Sequence, residues 1–424
     1  MIIEKSHTSQ YLIEKITPTA TKVSFMPDEV LSKALLHLES KGLPTNKHED
    51  YKYCNVDALI KKEFKNTEQK FLSPENTDAL RLQNSYSLFV VNGKFAPELS
   101  AGIDVPGVSV KSFSALDTSE KNALASLADV ETDAFIALNT AFCGDGLMIN
   151  INPNVVLDKP IHVIFLQTPA AISFVNARSL VMIGQNAQAT IIEEQLTQGH
   201  ANVFANILSE KIIANNAKLN SHLIQNDNRN AYTLHTTQVL LNRDAHYENT
   251  TVTLGGQMVR NNHNVVLNGE NAHAALNGLF TANESRLIDH HTLMDHRVPN
   301  CESNELYKGI MTDKGTGVFN GKIFVRQDAQ KTNAYQSSKN ILLSDDASVN
   351  AKPQLEIYAN DVKCSHGTST GKIDENALFY LNARGIGKET AKKMLLASFA
   401  EEVLNKIEIP ALHEKISSHF SSQL

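Results

Sequence analysis

Residues 181–190 read VMIGQNAQAT, and the same element returns as IIANNAKLN (212–220), VLLNRDAHYE (239–248) and VVLNGENAHAA (265–275). Each copy has an apolar pair, a few polar or small residues, an Asn-Ala or Asp-Ala step, and a further strand-like run. Later copies are GIMTDKGTGVF (309–319), IFVRQDAQKT (323–332) and ILLSDDASVN (341–350). Marked by Asn186, Asn216, Asp244, Asn271, Lys314, Asp328 and Asp346, they are spaced 30, 28, 27, 43, 14 and 18 residues apart. The last two spacings read as half-periods, and the gap of 43 divides if Asn283 marks a degenerate copy. A period near thirty with half-steps is that of a solenoid coil made of two strands.

The side chains suit that geometry. Asn and Asp tolerate left-handed backbone angles and bond their own main chain, so they fit tight corners. The Ala or Gly that follows is small enough to pack where one corner sits on the next. Residues 147–366 are therefore expected to form a parallel β-helix, flattened because each turn has two strands. The competing arrangement is an antiparallel sandwich whose turns happen to use Asn-Ala.

The flanks have a different texture. Residues 1–146 are expected to be a mostly helical domain. Asp28 or Glu29 opens a helix with Val30, Leu31, Ala34, Leu35 and Leu38 inward, and Gly42 and Pro44 stop it. A second helix is expected over 55–64, a strand over 87–91 and a short helix over 119–128. Residues 367–424 turn helical again. Asp374 can cap a segment burying Ala377, Leu378 and Leu381, and RGIG (384–387) breaks it. A longer helix follows, with Ala391, Met394, Leu395, Phe399, Val403 and Ile407 on its inner face. A solenoid end leaves strands unpaired, so this domain is expected as a cap over that end.

Composition removes several classes of function. The chain has 424 residues, 42% hydrophobic and 20% charged, with a net charge of −7. That balance argues against nucleic acid as the main partner, since phosphate contacts need clustered Lys and Arg. No run approaches the ~20 apolar residues of a membrane helix. The N-terminal stretch has neither the basic start nor the apolar run of an export signal, so a cytoplasmic location is expected. Cys54, Cys143, Cys301 and Cys364 lack CxxC spacing, which excludes a disulfide framework and the usual zinc-finger patterns. No Walker A loop, dinucleotide fingerprint or hydrolytic signature is visible; CGDG (143–146) is only a Gly-rich turn. The chain is expected to be a protein surface without ATPase activity of its own.

The strongest chemical signal is LEIYANDVKCSHGTSTG (355–371). If 362–366 is extended, Cys364 and His366 share a face. A thiolate and an imidazole two residues apart can share a soft metal such as iron, but two donors are too few for a closed site. Further donors would have to come from another chain or from a substrate. Taken alone, such a pair is more often structural. In DHHTLMDH (289–296), Asp289 and His291 share one face while His290 and His296 share the other. The set does not converge, which favours a hydrogen-bonded ladder over a metal centre.

Residues 307–371 contain YKGI, VFNGKIFVRQDAQKTNAYQSSKN and LLSDDASVNAKPQLEIYANDVKCSHG, followed by ALFYLNARGI (377–386). Together with HTLMDHRVPNCES (291–303) and HEDYKYCNVDAL (48–59), this run closely resembles the SufB/SufD family of scaffold proteins of the SUF iron–sulfur cluster assembly system. The KCSHG form and the chain length resemble the SufD branch; SufB chains resemble EHEAT at that place and are longer.

The resemblance implies a right-handed β-helix between helical domains and a non-ATPase scaffold. It implies SufB pairing at the β-helix edge, the ATPase SufC docking on the C-terminal helical domain, and a homodimer when the chain is isolated. The family histidine that helps build the nascent cluster maps onto His366, with Cys364 beside it, so a transient iron–sulfur cluster or iron belongs there. A reduced flavin in the assembled complex is a further family expectation that no residue here announces. The alternative is a polysaccharide-binding or polysaccharide-cleaving β-helix protein. It predicts aromatic platforms, clustered carboxylates and an export signal, whereas aromatics make up 6% of the chain and Trp is absent.

Overall fold

The computed structural model describes residues 23, 25–54, 56, 77–124, 126–169 and 171–423. Its strands in chain order are β1 Tyr86–Val91, β2 Lys94–Phe95, β3 Val108–Ser112, β4 Leu147–Ile151, β5 Ile161–Gln167, β6 Ser173–Ile183 and β7 Gln188–Thr197. They continue as β8 Val203–Ile213, β9 Lys218–Gln225, β10 Ala231–Leu241, β11 His246–Thr253, β12 Met258–Leu267 and β13 His273–Ala282. The last are β14 Leu287–His296, β15 Glu302–Met311, β16 Thr316–Val325, β17 Asn333–Leu342, β18 Ser348–Ile357 and β19 Lys363–Gly371. From β4 on, every strand pairs in parallel with the strand two further along, giving one sheet of even and one of odd strands. This is a β-solenoid with two strands per turn. At its N-terminal end β3 and β2 pair antiparallel with β4 and β1.

The Asn/Asp cadence marks one edge of this solenoid. Asn154, Asn186, Asn216, Asp244, Asn271, Asn300 and Lys331 all take left-handed angles, with φ between 57° and 66°. Amide ladders join successive turns: Asn186 Nδ2 donates to Asn154 Oδ1 and Asn216 Nδ2 to Asn186 Oδ1, both at 2.8 Å. The small residue after each corner packs as expected. Ala187, Ala217, Ala245, Ala272 and Cys301 form one buried column.

The half-steps hold: Asn283, Lys314 and Asp346 lie at the opposite edge, where Glu284 and Asp313 are the left-handed residues. One copy was missed, Asn300-Cys301, which continues the first edge inside the 43-residue gap. Cys301 hid the copy because a thiol stands where Ala stands elsewhere.

Helices cover the outer faces. Six are described: α1 Asp28–Lys41, α2 Thr118–Leu124, α3 Ala134–Phe142, α4 Glu375–Ala383, α5 Lys388–Leu404 and α6 Pro410–Gln423. α1 and α3 pack with Phe174, Phe204, Leu208 and Leu234 on the even sheet. There Arg178 is buried against Glu210 at 2.6 Å and donates to Thr140 in α3. α5 and α6 pack with Ile192, Ile224, Val252, Leu279 and Ile310 on the odd sheet.

The helix expected over 55–64 lies outside the described residues except at Val56. α5 turns inward a face that overlaps the expected one. Ala391 and Val403 are buried as expected, as is Ile407 just beyond the helix; Leu396, Ala400 and Leu404 join them, while Met394 is 48% exposed. The expectation of a helical cap over the solenoid end is also overturned. The C-terminal helices lie along the side of the odd sheet and leave the last turn open.

Candidate functional site

That open turn is built from β18 and β19, each the last strand of its sheet and paired on one side only. Neither contains a buried residue, in contrast to β14 or β15 two turns inward. Unpaired N–H and C=O groups along such an edge are a template for another chain.

Cys364 and His366 both sit on β19. Cys364 is in register with Ala334 and packs against the inner core, so the face it shares with His366 is the one that looks into the solenoid. Elsewhere that face is covered by the next turn; here it is exposed at His366. Cys364 is half-buried, and burial raises its thiol pKa. The other three cysteines are fully buried, and burial pushes Cys54 and Cys143 up to about 12 and Cys301 to about 11. Thiolate chemistry needs access and a low pKa, so those three are packing residues. Cys364 is the thiol that another molecule could reach.

The histidine-rich strand β14 is split between two environments. His290 points inward, its ring between Phe280 (5.0 Å) and Tyr307 (5.3 Å). His296 also points inward and bonds Ser303 Oγ at 2.9 Å. His291 lies outside, 3.0 Å from Asp289, which also holds Arg260 at 2.9 Å. The rings do not converge, as their alternation suggested. Among the described residues, no group of three or more His, Cys, Asp or Glu side chains is placed to hold a metal ion.

A cleft of about 640 Å³ lies between the N-terminal helices and the even sheet, lined by Arg260, His291, Asp295 and Arg326 among others. Its two arginines are already matched, Arg260 with Asp289 and Arg326 with Asp295 at 2.8 Å. It reads as a seam that fastens the N-terminal segment, where Arg260 also donates to Asp50 O and lies over the Tyr51 ring.

Sequence reading missed the residues behind His366. In the odd sheet Glu305, Gln336 and His366 are register partners on three successive rungs. Gln336 Nε2 donates to Glu305 Oε2 at 2.5 Å, and both side chains are buried. The signal was a spacing of about one period, visible only once the register is known.

Comparison with known proteins agrees with this geometry. A family model described as "SUF system FeS cluster assembly, SufBD core domain" matches residues 165–399, and one described as "SufBD protein N-terminal region" matches residues 3–163. The chain is 31% identical to the iron–sulfur cluster assembly protein SufD of Escherichia coli (strain K12), over 92% of this chain and 91% of that one. It is 30% identical to an iron–sulfur cluster assembly SufBD family protein of Synechocystis sp., over 96% and 93%. The chloroplastic protein ABCI7 of Arabidopsis thaliana is 27% identical, over 91% and 84%. With the core model lying across the solenoid and the N-terminal model abutting it, this chain belongs to the SufB/SufD family and is SufD-like within it.

Proposed function

We propose that this chain is the non-ATPase scaffold subunit of a SufB–SufC–SufD-type complex, and that its open last turn is one wall of the site where a nascent iron–sulfur cluster is assembled. The observation that carries this reading is an exposed imidazole, His366, on the inward face of an unpaired edge strand. A SufB chain seated on β18 and β19 would continue the two sheets and meet that imidazole.

His366 acts as a neutral imidazole ligand for iron or the forming cluster, with Cys364 beside it as a second, less accessible donor. Two donors cannot close a site, so the remaining thiolates come from the SufB side. The cluster is cargo, built here and passed on. ATP chemistry belongs to a SufC-type partner on the C-terminal helices α4–α6, which begin at Glu375 because β19 runs on to Gly371, five residues past the expected boundary. α4 offers such a partner an uncovered face, with Phe379 73% and Tyr380 57% exposed. Nucleotide binding there would favour one arrangement of the interface over another. The place of work is the cytoplasm. The polysaccharide alternative finds no support in the family matches.

The test is co-expression with SufB and SufC, mass measurement of the complex, and iron and sulfide analysis of wild type and His366→Ala. An intact complex without cluster supports the ligand role. An intact complex that still assembles clusters at the wild-type level rejects it.

A further inference from the structure

Gln336 lies one rung inward from His366, its Cα register partner on the same face of the odd sheet. Neighbouring parallel strands are about 4.8 Å apart, so the two side chains are stacked neighbours in one column. The amide of Gln336 is held in one orientation. Its Nε2 donates to Glu305 Oε2 on the next rung, and it is seated in space that only a glycine leaves free. A Cβ on Gly321 would come within 2.2 Å of Nε2 and 2.7 Å of the amide carbon. That anchoring leaves Oε1 buried and without a partner. A buried amide oxygen without a donor forfeits its hydration with nothing in return, and such atoms call for an explanation. On the open side, the nearest side chain of the same column is the exposed ring of His366.

We infer that Gln336 is a positioning residue whose Oε1 accepts the N–H of His366, with Glu305 orienting the amide, so that the other ring nitrogen is presented to the open end as a free lone pair. A ligating histidine is fixed in tautomer and direction by the group its second nitrogen donates to. Here that group is a carboxamide locked by a carboxyl group, inside the solenoid and out of reach of the partner. The inference rests on His366 being the ligand only in its purpose. The proposed hydrogen bond, which a turn of the His366 ring toward Oε1 would make, involves this chain alone.

The experiment uses the full chain carrying ring-¹⁵N histidine, with the His366 resonances assigned by their loss in His366→Ala. Wild type is expected to show a single neutral tautomer at His366. Gln336→Met and Gln336→Leu keep the bulk without the acceptor and are expected to show the mixture of a free imidazole. Gln336→Glu keeps an oxygen acceptor and is expected to restore the single tautomer. In the assembled complex, the Met and Leu variants should bind added Fe²⁺ about 10-fold or more weakly. A wild-type His366 with the tautomer mixture of a free imidazole overturns the inference without any variant, and so does an unchanged tautomer in a folded Gln336→Met. Failure of the cluster-ligand reading shows up elsewhere, as His366→Ala complexes that still assemble clusters.

Discussion

Lys211 Nζ lies 2.7 Å from Glu193 Oε2 in the interior of the solenoid, with the two side chains only 1% and 3% exposed. Each takes further bonds there, Lys211 to Ser221 Oγ at 2.8 Å and Glu193 from Ser209 Oγ at 2.7 Å. The pair belongs to a polar stack that fills one half of the interior, passing through His235, Gln195, Gln225 and Asn261. The other half is the apolar column beside the Asn/Asp corners. Although burial alone would raise the Glu193 carboxyl, Lys211 and the hydroxyl donors hold it at about 2.

Removing one partner strands the other charge. Lys211→Met is expected to cost about 3–5 kcal/mol, because Glu193 is left buried and ionised. Lys211→Met with Glu193→Leu should recover most of that loss, since an apolar pair needs no desolvation. Denaturant midpoints of the two variants decide it. A double variant no better than the single one would mean that the polar stack as a whole, rather than the ion pair, holds this level together.

Gly278 lies directly beneath the ring of Tyr307, its register partner on the next rung, where an added Cβ would sit 2.3 Å from ring carbons. Tyr307 cannot yield, because it packs on Phe319 (4.7 Å) and His290 (5.3 Å). Gly278→Ala should therefore destabilise by about 1–3 kcal/mol through overpacking. Combining it with Tyr307→Leu should cost less than the two changes summed, since the clash is then gone. Strict additivity in unfolding measurements would contradict this packing.

Much of this interior could not be read from the sequence, for identifiable reasons. The corners were legible because Asn or Asp followed by a small residue recurs in most turns and these residues tolerate the left-handed backbone best after glycine. Asn300-Cys301 escaped because its thiol does not look like the Ala it replaces. The polar stack escaped because Glu193, Lys211 and His235 alternate with apolar neighbours just as solvent-facing residues do. His366 was legible from a short motif. Gln336 and Glu305 were not, because what joins them to His366 is the register of three strands 30 and 31 residues apart. The open end was unreadable in principle: β18 has ordinary strand texture and is exposed only because no further turn covers it.

Buried imidazoles make the fold sensitive to acid. Burial holds His222, His235, His290 and His296 down at about 4. An unfolded chain protonates them near the ordinary pH of ~6.5, so their contribution is complete above that pH and is lost as pH falls toward 4. Two carboxyls act in the opposite sense, Glu305 raised to about 7 and Asp227 to about 6. With His263, which burial holds well below its ordinary value, five imidazoles against two carboxyls leave a net uptake of about three protons on unfolding near pH 5.5, a slope of about 4 kcal/mol per pH unit. Urea midpoints should fall steeply between pH 6.5 and 5, and a flat profile there would refute these environments.

Glu305 gives a prediction of opposite sign. Burial raises its carboxyl to about 7, against 4.5 for an ordinary glutamate, while the Thr292 hydroxyl and the Gln336 amide offset part of that rise. A carboxyl raised on folding favours the native state below its unfolded pKa and loses that contribution as pH climbs from about 4.5 to 7. Above pH 7 the wild-type chain carries a buried carboxylate, a penalty of about 3 kcal/mol for this shift. Glu305→Gln keeps the shape and an oxygen for Gln336 but cannot ionise. It should be more stable than wild type by up to about 3 kcal/mol at pH 8, and the gain should vanish by pH 4.5. A variant weaker than wild type at pH 8 would mean that the carboxylate is solvated or paired, and the buried column behind His366 would then have to be drawn with water or an ion inside it.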